Sequence, residues 1–160
     1  MEATRRDSSR DFDFVFGDWI VRHRRLRHPL RGNDDWYEFE GTSRQWPLWG
    51  GKGNVEEAIA QSPLGPIEGS AIRFHDRATG EWSIYWGTSD GGLVTTPNVG
   101  TFDERGIGEF FARDVFDGRP IISRYRWTPL DADHCRWEQH FSIDDGASWE
   151  LNWIMEFTRA

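Results

Sequence analysis

Trp149-Glu-Leu-Asn-Trp-Ile-Met-Glu-Phe157, close to the C-terminus, alternates at nearly every step. Trp149, Leu151, Trp153, Met155 and Phe157 share one parity, and Glu150, Asn152, Ile154 and Glu156 share the other. A period of two places the first set on one face of a β-strand, where a helix would scatter it around the axis. The two preceding segments repeat the pattern. Residues 134–143 set Cys135, Trp137, Gln139, Phe141 and Ile143 against Arg136, Glu138 and His140. Residues 119–128 set Ile121, Ser123, Tyr125 and Trp127 against Ile122, Arg124 and Arg126. A ring-rich face backed by a charged one is an antiparallel sheet with a single solvated side.

The same period runs back through 107–116, 98–103, 81–87, 67–75, 52–59 and 36–46 to Trp19, Val21 and His23. Turn chemistry separates these segments. Asp76-Arg-Ala-Thr-Gly80 fits a type I turn with a glycine bulge, and Asp117-Gly118 a two-residue hairpin. Roughly ten closely spaced strands make an all-β fold, read here as an antiparallel up-and-down barrel. In 11–17, Asp11 is expected to cap a short helical turn, Phe12 and Phe16 to share its face, and Gly17 to stop it. Residues 1–10 are polar and aperiodic and read as a disordered tail, leaving 11–160 as one barrel domain. In strand 36–46 rings occur on both parities, so the sequence leaves open which face lines the barrel.

Composition narrows the functional classes. The 160 residues carry 10 Trp, 11 Phe and 3 Tyr but only 37% hydrophobic residues, so the core is built of rings. Net charge is -8, which argues against a nucleic-acid footprint, and no apolar run is long enough for a membrane helix. The N-terminus has no apolar signal region, and Cys135 is the only cysteine; the expected compartment is the cytoplasm. Cys135, on the ring face, reads as a small buried hydrophobe rather than a nucleophile. The basic run Arg22–His28 splits across both faces of its strand, as a charged edge strand would. Gly50-Gly-Lys-Gly-Asn54 lacks the spacing of a phosphate loop and reads as a turn. The five histidines form no metal-binding spacing, so neither metal nor cofactor is expected. Ser142-x-Asp-x-Gly-x-Ser-Trp149 matches an Asp-box, whose physics is that of a hairpin turn; one copy cannot build a propeller.

The ring face is not purely apolar, and polar groups converging on apolar walls are what a small-molecule pocket requires. Trp86, Tyr125, Trp137, Trp153 and Met155 are expected as walls, with Arg44, Asn54, Glu56 and Gln139 as polar handles. The function read from this is binding of a small apolar or aromatic molecule inside the barrel. An alternative is an acid–base enzyme (isomerase, cyclase or dehydratase) on the same barrel, with His75 and Asp114 as catalytic pair, because each shares parity with core positions. A third reading is a structural or interaction domain whose outer rings bury in a homodimer.

Phe16-Gly-Asp-Trp19 opens the first strand as Gly-x-Trp, the mark of the first strand in lipocalins and other calycins. Glu40–Arg44, Leu48–Glu57, Asp76–Trp86, Gly108–Phe111, Arg136–Ser142 and Trp149–Arg159 extend the likeness. From Asp11 to Arg159 the chain resembles a bacterial domain-of-unknown-function family with a calycin-like barrel. The resemblance implies that Trp19 packs at the closed end beneath Arg159, as a cation–π pair. It implies no general activity. Some calycin-like barrels hold haem through one histidine, for which His75 and His140 are the positions here.

Overall fold

The computed structural model describes residues 6–160. Eleven strands follow one another: β1 (Gly17–Leu26), β2 (Trp36–Leu48), β3 (Gly53–Ser62), β4 (Gly65–His75), β5 (Trp82–Thr88), β6 (Gly92–Leu93), β7 (Asn98–Phe102), β8 (Gly108–Phe116), β9 (Arg119–Asp131), β10 (His134–Ser142) and β11 (Glu150–Arg159). Each long strand pairs antiparallel with its sequence neighbours. β1 also pairs with β11, and β4 with β5, so ten strands close an up-and-down barrel. The two-residue β6 is an appendage on β5. Closure leaves the long strands without free edges. The basic run therefore does not guard an edge: β1 lies between β2 and β11, and Arg22 and Arg24 pair outward with Glu38.

One end is plugged by the N-terminal segment. A 3-10 turn, Asp13–Val15, buries Phe12 and Val15, because at three residues per turn positions i and i+3 share a face. The expected pairing of Phe12 with Phe16 is therefore replaced by Phe12 with Val15. Asp11 does not cap the turn but pairs with Arg6. Phe12 meets Trp82 and Phe102 edge-on, each at 4.9 Å between centroids. Trp19 is buried and donates its Nε1–H to Val15 O at 2.7 Å. Arg159 lies over that indole at 4.2 Å and donates to Phe16 O and Phe14 O. Of the tail expected over 1–10, residues 1–5 lie outside the described residues. Ser8 is bound to the barrel: its hydroxyl donates to Gly80 O, and its carbonyl accepts the Trp82 indole N–H.

The alternation holds through β10 and breaks once in β11. Gln139 pairs with Trp153 but His140 with Leu151, so Asn152 is an extra residue. This bulge reverses parity on its N-terminal side. Trp149, expected beside Trp153 on the ring face, instead packs on the outer wall under Arg124, at 4.1 Å, and beside Phe111. In β2 the packing settles what parity left open: Tyr37, Phe39, Ser43 and Gln45 are buried, while Glu38, Glu40, Arg44 and Trp46 face outward. The Asp-box is a turn, with Asp144 accepting from the backbone and hydroxyl of Ser148. These hydrogen bonds lower the Asp144 pKa to about 2.

Candidate functional site

Above the plug the barrel encloses a cavity of about 260 Å³. Its walls come from strands around the whole barrel. Trp137 and Trp153 meet edge to face at 5.4 Å, and Tyr125 packs on Trp137 at 5.1 Å. Trp86 lies opposite, across Gly69, where its ring leaves no room for a Cβ. Small side chains at Ala58 and Ala71 keep the space between rings open.

The floor is ionic. Arg73 is 1% exposed and lies over the rings of Phe12 and Trp127, at 4.9 and 5.3 Å. Its Nη1 donates to Gln45 Oε1 (2.9 Å) and Asn54 Oδ1 (2.8 Å), and its Nη2 to Glu56 Oε2 (2.6 Å). Ser43 donates to the other Glu56 oxygen at 3.0 Å. Burial draws the Arg73 pKa down, and the Glu56 carboxylate opposes that pull. Neutralising each other, the pair adds no net charge to the cavity.

Higher up, His23 stacks on Phe39 at 4.4 Å, and its Nδ1 accepts the Trp153 indole N–H at 3.2 Å. Burial pushes the His23 pKa down to about 4, with Arg25 adding to the effect, so the ring is neutral near pH 7. A neutral imidazole that accepts at Nδ1 carries its proton on Nε2. Among the described residues that N–H has no partner. Neither has the Tyr125 hydroxyl, whose pKa burial raises to about 12, with the Asp114 charge adding to the rise. Gln139 donates to Asn152 and keeps its carbonyl oxygen free. Arg25 lies over Trp153 at 4.0 Å, and no carboxylate among the described residues lies within ion-pair distance of it.

Of the expected site residues, Glu56, Trp86, Tyr125, Trp137, Gln139, Trp153 and Met155 line this cavity. Two do not. Arg44 is on the outward parity of β2 and pairs with Asp18 at 3.2 Å. Asn54 is fully buried, but behind the lining, as an acceptor for Arg73. The structure does not bring His75 and Asp114 together. His75 Nε2 lies 2.8 Å from Ser8 Oγ beside the plug, and because that hydroxyl donates to Gly80 O, the imidazole donates to it. Through its register with Trp82, Gly100 and Phe110, it lies four residues from the level of Asp114, about 13 Å along the barrel wall. Asp114 is exposed near the opposite end and accepts the Val115 N–H. Neither His75 nor His140 lines the cavity; His23 is the histidine that does. Cys135 is buried, and burial raises its thiol pKa to about 12. Among the described residues no three His, Cys, Asp or Glu side chains gather in a metal-binding group.

His23, Arg25 and Arg73 also line the cavity and are not among the expected site residues. Their signal was present: each falls on the buried parity of its strand, where a charged or titratable side chain requires a partner.

No family model and no curated protein matches the sequence. Solved structures do match in fold. The S-type phycobiliprotein lyase CPES from Guillardia theta superposes with a TM-score of 0.67 and 11% identity, covering 98% of this chain and 94% of its own. Rv2717c from M. tuberculosis gives 0.65 and 13% identity, over 97% of this chain and 98% of its own. EF1p2_mFAP2b, solved bound to DFHBI, gives 0.51 and 13% identity, over 96% and 99%. At such identities the likeness is one of fold.

Proposed function

We propose that this protein binds a small apolar or aromatic molecule inside a calycin-like barrel. The observation that carries the reading is the cavity of about 260 Å³, walled by indole and phenol rings and supplied with unpartnered polar groups. A cavity of about 150 Å³ holds benzene, so this one suits a molecule of one or two rings. A barrel of similar fold solved with DFHBI bound is consistent with the reading. The acid–base enzyme has less support, since the residues proposed for it stand apart. A cytoplasmic setting, favoured by the single cysteine, belongs to the same proposal.

Titration with 2-naphthol tests it. Saturable quenching of tryptophan fluorescence is expected, with one site per chain. Ala58→Phe, which fills the cavity from β3, is expected to abolish the response while leaving the urea unfolding transition cooperative. Quenching that does not saturate, or that survives Ala58→Phe, overturns the proposal.

A second reading has an observation of its own. On the outer wall Trp46, Val55, Ile72 and Tyr85 stand in register across β2 to β5. Trp49 and Phe74 stack beside them at 6.0 Å, and Trp49 is 66% exposed. An aromatic surface of this kind favours a homodimer. Sedimentation equilibrium is expected to give a dimer that Phe74→Glu dissociates; a monomer at all concentrations ends this reading.

A further inference from the structure

Arg25 is the one cation of the cavity lining whose charge is left over. The lining holds two guanidinium groups and one carboxylate, and Glu56 is taken by Arg73 at the floor. The arginines around it in sequence have partners outside the cavity: Arg22 and Arg24 of β1 on Glu38, and Arg27, just past its end, on Asp35. Arg25 instead lies over the Trp153 ring at 4.0 Å, and no hydrogen bond or ion pair among the described residues takes up its guanidinium donors. Two acidic side chains stand on the inward parity toward the same end, and both are engaged with backbone. Glu150 accepts the Leu30 N–H with both oxygens, and Asp114 accepts the Val115 N–H.

His23 is two residues from Arg25 on the same face of β1, about 6.6 Å along the strand. Trp153 joins them, with its indole N–H on His23 Nδ1 and its ring beneath Arg25. The bond at Nδ1 orients the imidazole and places its proton on Nε2. The site therefore offers one permanent cation and one oriented neutral donor beside a wall of rings.

We propose that the cavity selects an aromatic carboxylate, with its ring between Trp86, Tyr125 and Trp137 and its carboxylate on the Arg25 guanidinium, assisted by His23 Nε2–H. This rests on the proposed binding function and names the ligand class. A guanidinium edge offers two parallel donors that match the two oxygens of a carboxylate. An amide or alcohol of the same shape fills the rings equally well but leaves the cation without its counter-charge.

The test compares 2-naphthoate with 2-naphthamide at neutral pH. The wild-type protein is expected to bind the naphthoate at least ~10-fold more tightly, as a charge-assisted bidentate contact requires. Arg25→Gln is expected to bring the ratio of naphthoate to naphthamide affinity to about one, whatever it does to both together. The wild-type comparison decides the matter even where the variant fails to fold. Equal binding of the two probes overturns this inference and leaves the binding function standing; binding of neither overturns both. A preference for naphthoate that survives intact in folded Arg25→Gln assigns the anion contact elsewhere and also overturns the proposal.

Discussion

Arg73 has exchanged its hydration for three side-chain acceptors and two rings. Removing one member of such a buried ionic pair costs more than the pair contributes, because the remaining charge stays in the interior. Arg73→Met is accordingly expected to lower the unfolding free energy by about 3–5 kcal/mol, measured by urea denaturation. Arg73→Met with Glu56→Gln is expected to recover part of that loss, since the uncompensated carboxylate is gone. His23 gives stability a pH dependence of definite sign. Folded, it resists protonation down to about pH 4; unfolded, it takes its proton near the ordinary value of 6.5. Between these limits the unfolded state binds more protons, so stability is full above pH 6.5 and declines as pH falls toward 4. His140, also held to about 4 by burial, acts in the same direction. The urea midpoint is expected to fall across this window, and less steeply in His23→Gln, which preserves an acceptor for Trp153. Both features were half legible in the sequence. Parity put Arg73 and His23 on the buried face, but their partners lie on other strands, and only packing chose them.

At the scale of elements, the plug and the last strand depend on each other. Gly17 has φ of +127°, and a Cβ there would meet the Arg159 guanidinium, so glycine is needed where the plug turns into β1. Arg159 donates to Phe14 O, Phe16 O and Ala132 O while lying on Trp19. Lysine carries the charge but not the fork. Arg159→Lys is expected to cost about 2 kcal/mol and to speed amide exchange at Phe16 and Gly17, read by hydrogen-exchange mass spectrometry. The likeness of Gly-x-Trp and Arg159 to the calycin pattern implied this contact, and closure provides it by pairing β1 with β11. The Asn152 bulge was not predictable. An alternating sequence has the same parity with or without an extra residue in its ladder, and only the register against β10 reveals it.

Closure governs the molecule as a whole. β11 lies between β1 and β10, so the barrel is completed by pairing the first strand with the last. Such contacts have the greatest sequence separation the chain offers, and their loop-closure entropy is met only once the rest of the sheet exists. Truncation after Ser148 removes this strand and exposes two edges rich in apolar side chains. The truncated chain is expected to show no cooperative thermal transition in far-UV circular dichroism and to sediment as aggregates.

By itself the sequence determined the class of fold, the number and order of the strands and most of the ring-lined wall. These are properties of local period and turn chemistry, and they are written within single segments. Seven of the nine residues expected in the ligand site line the cavity because parity is enough to place a side chain inside a closed barrel. The tertiary structure alone decided that His75 and Asp114 stand apart, that Arg44 faces outward, and that Asn54 serves Arg73 instead of the cavity. It also decided that Arg25 keeps an unpaired charge above the rings. Parity tells in from out, but distance along the barrel axis and the choice of partner across it arise only when the strands are in register and the barrel is closed.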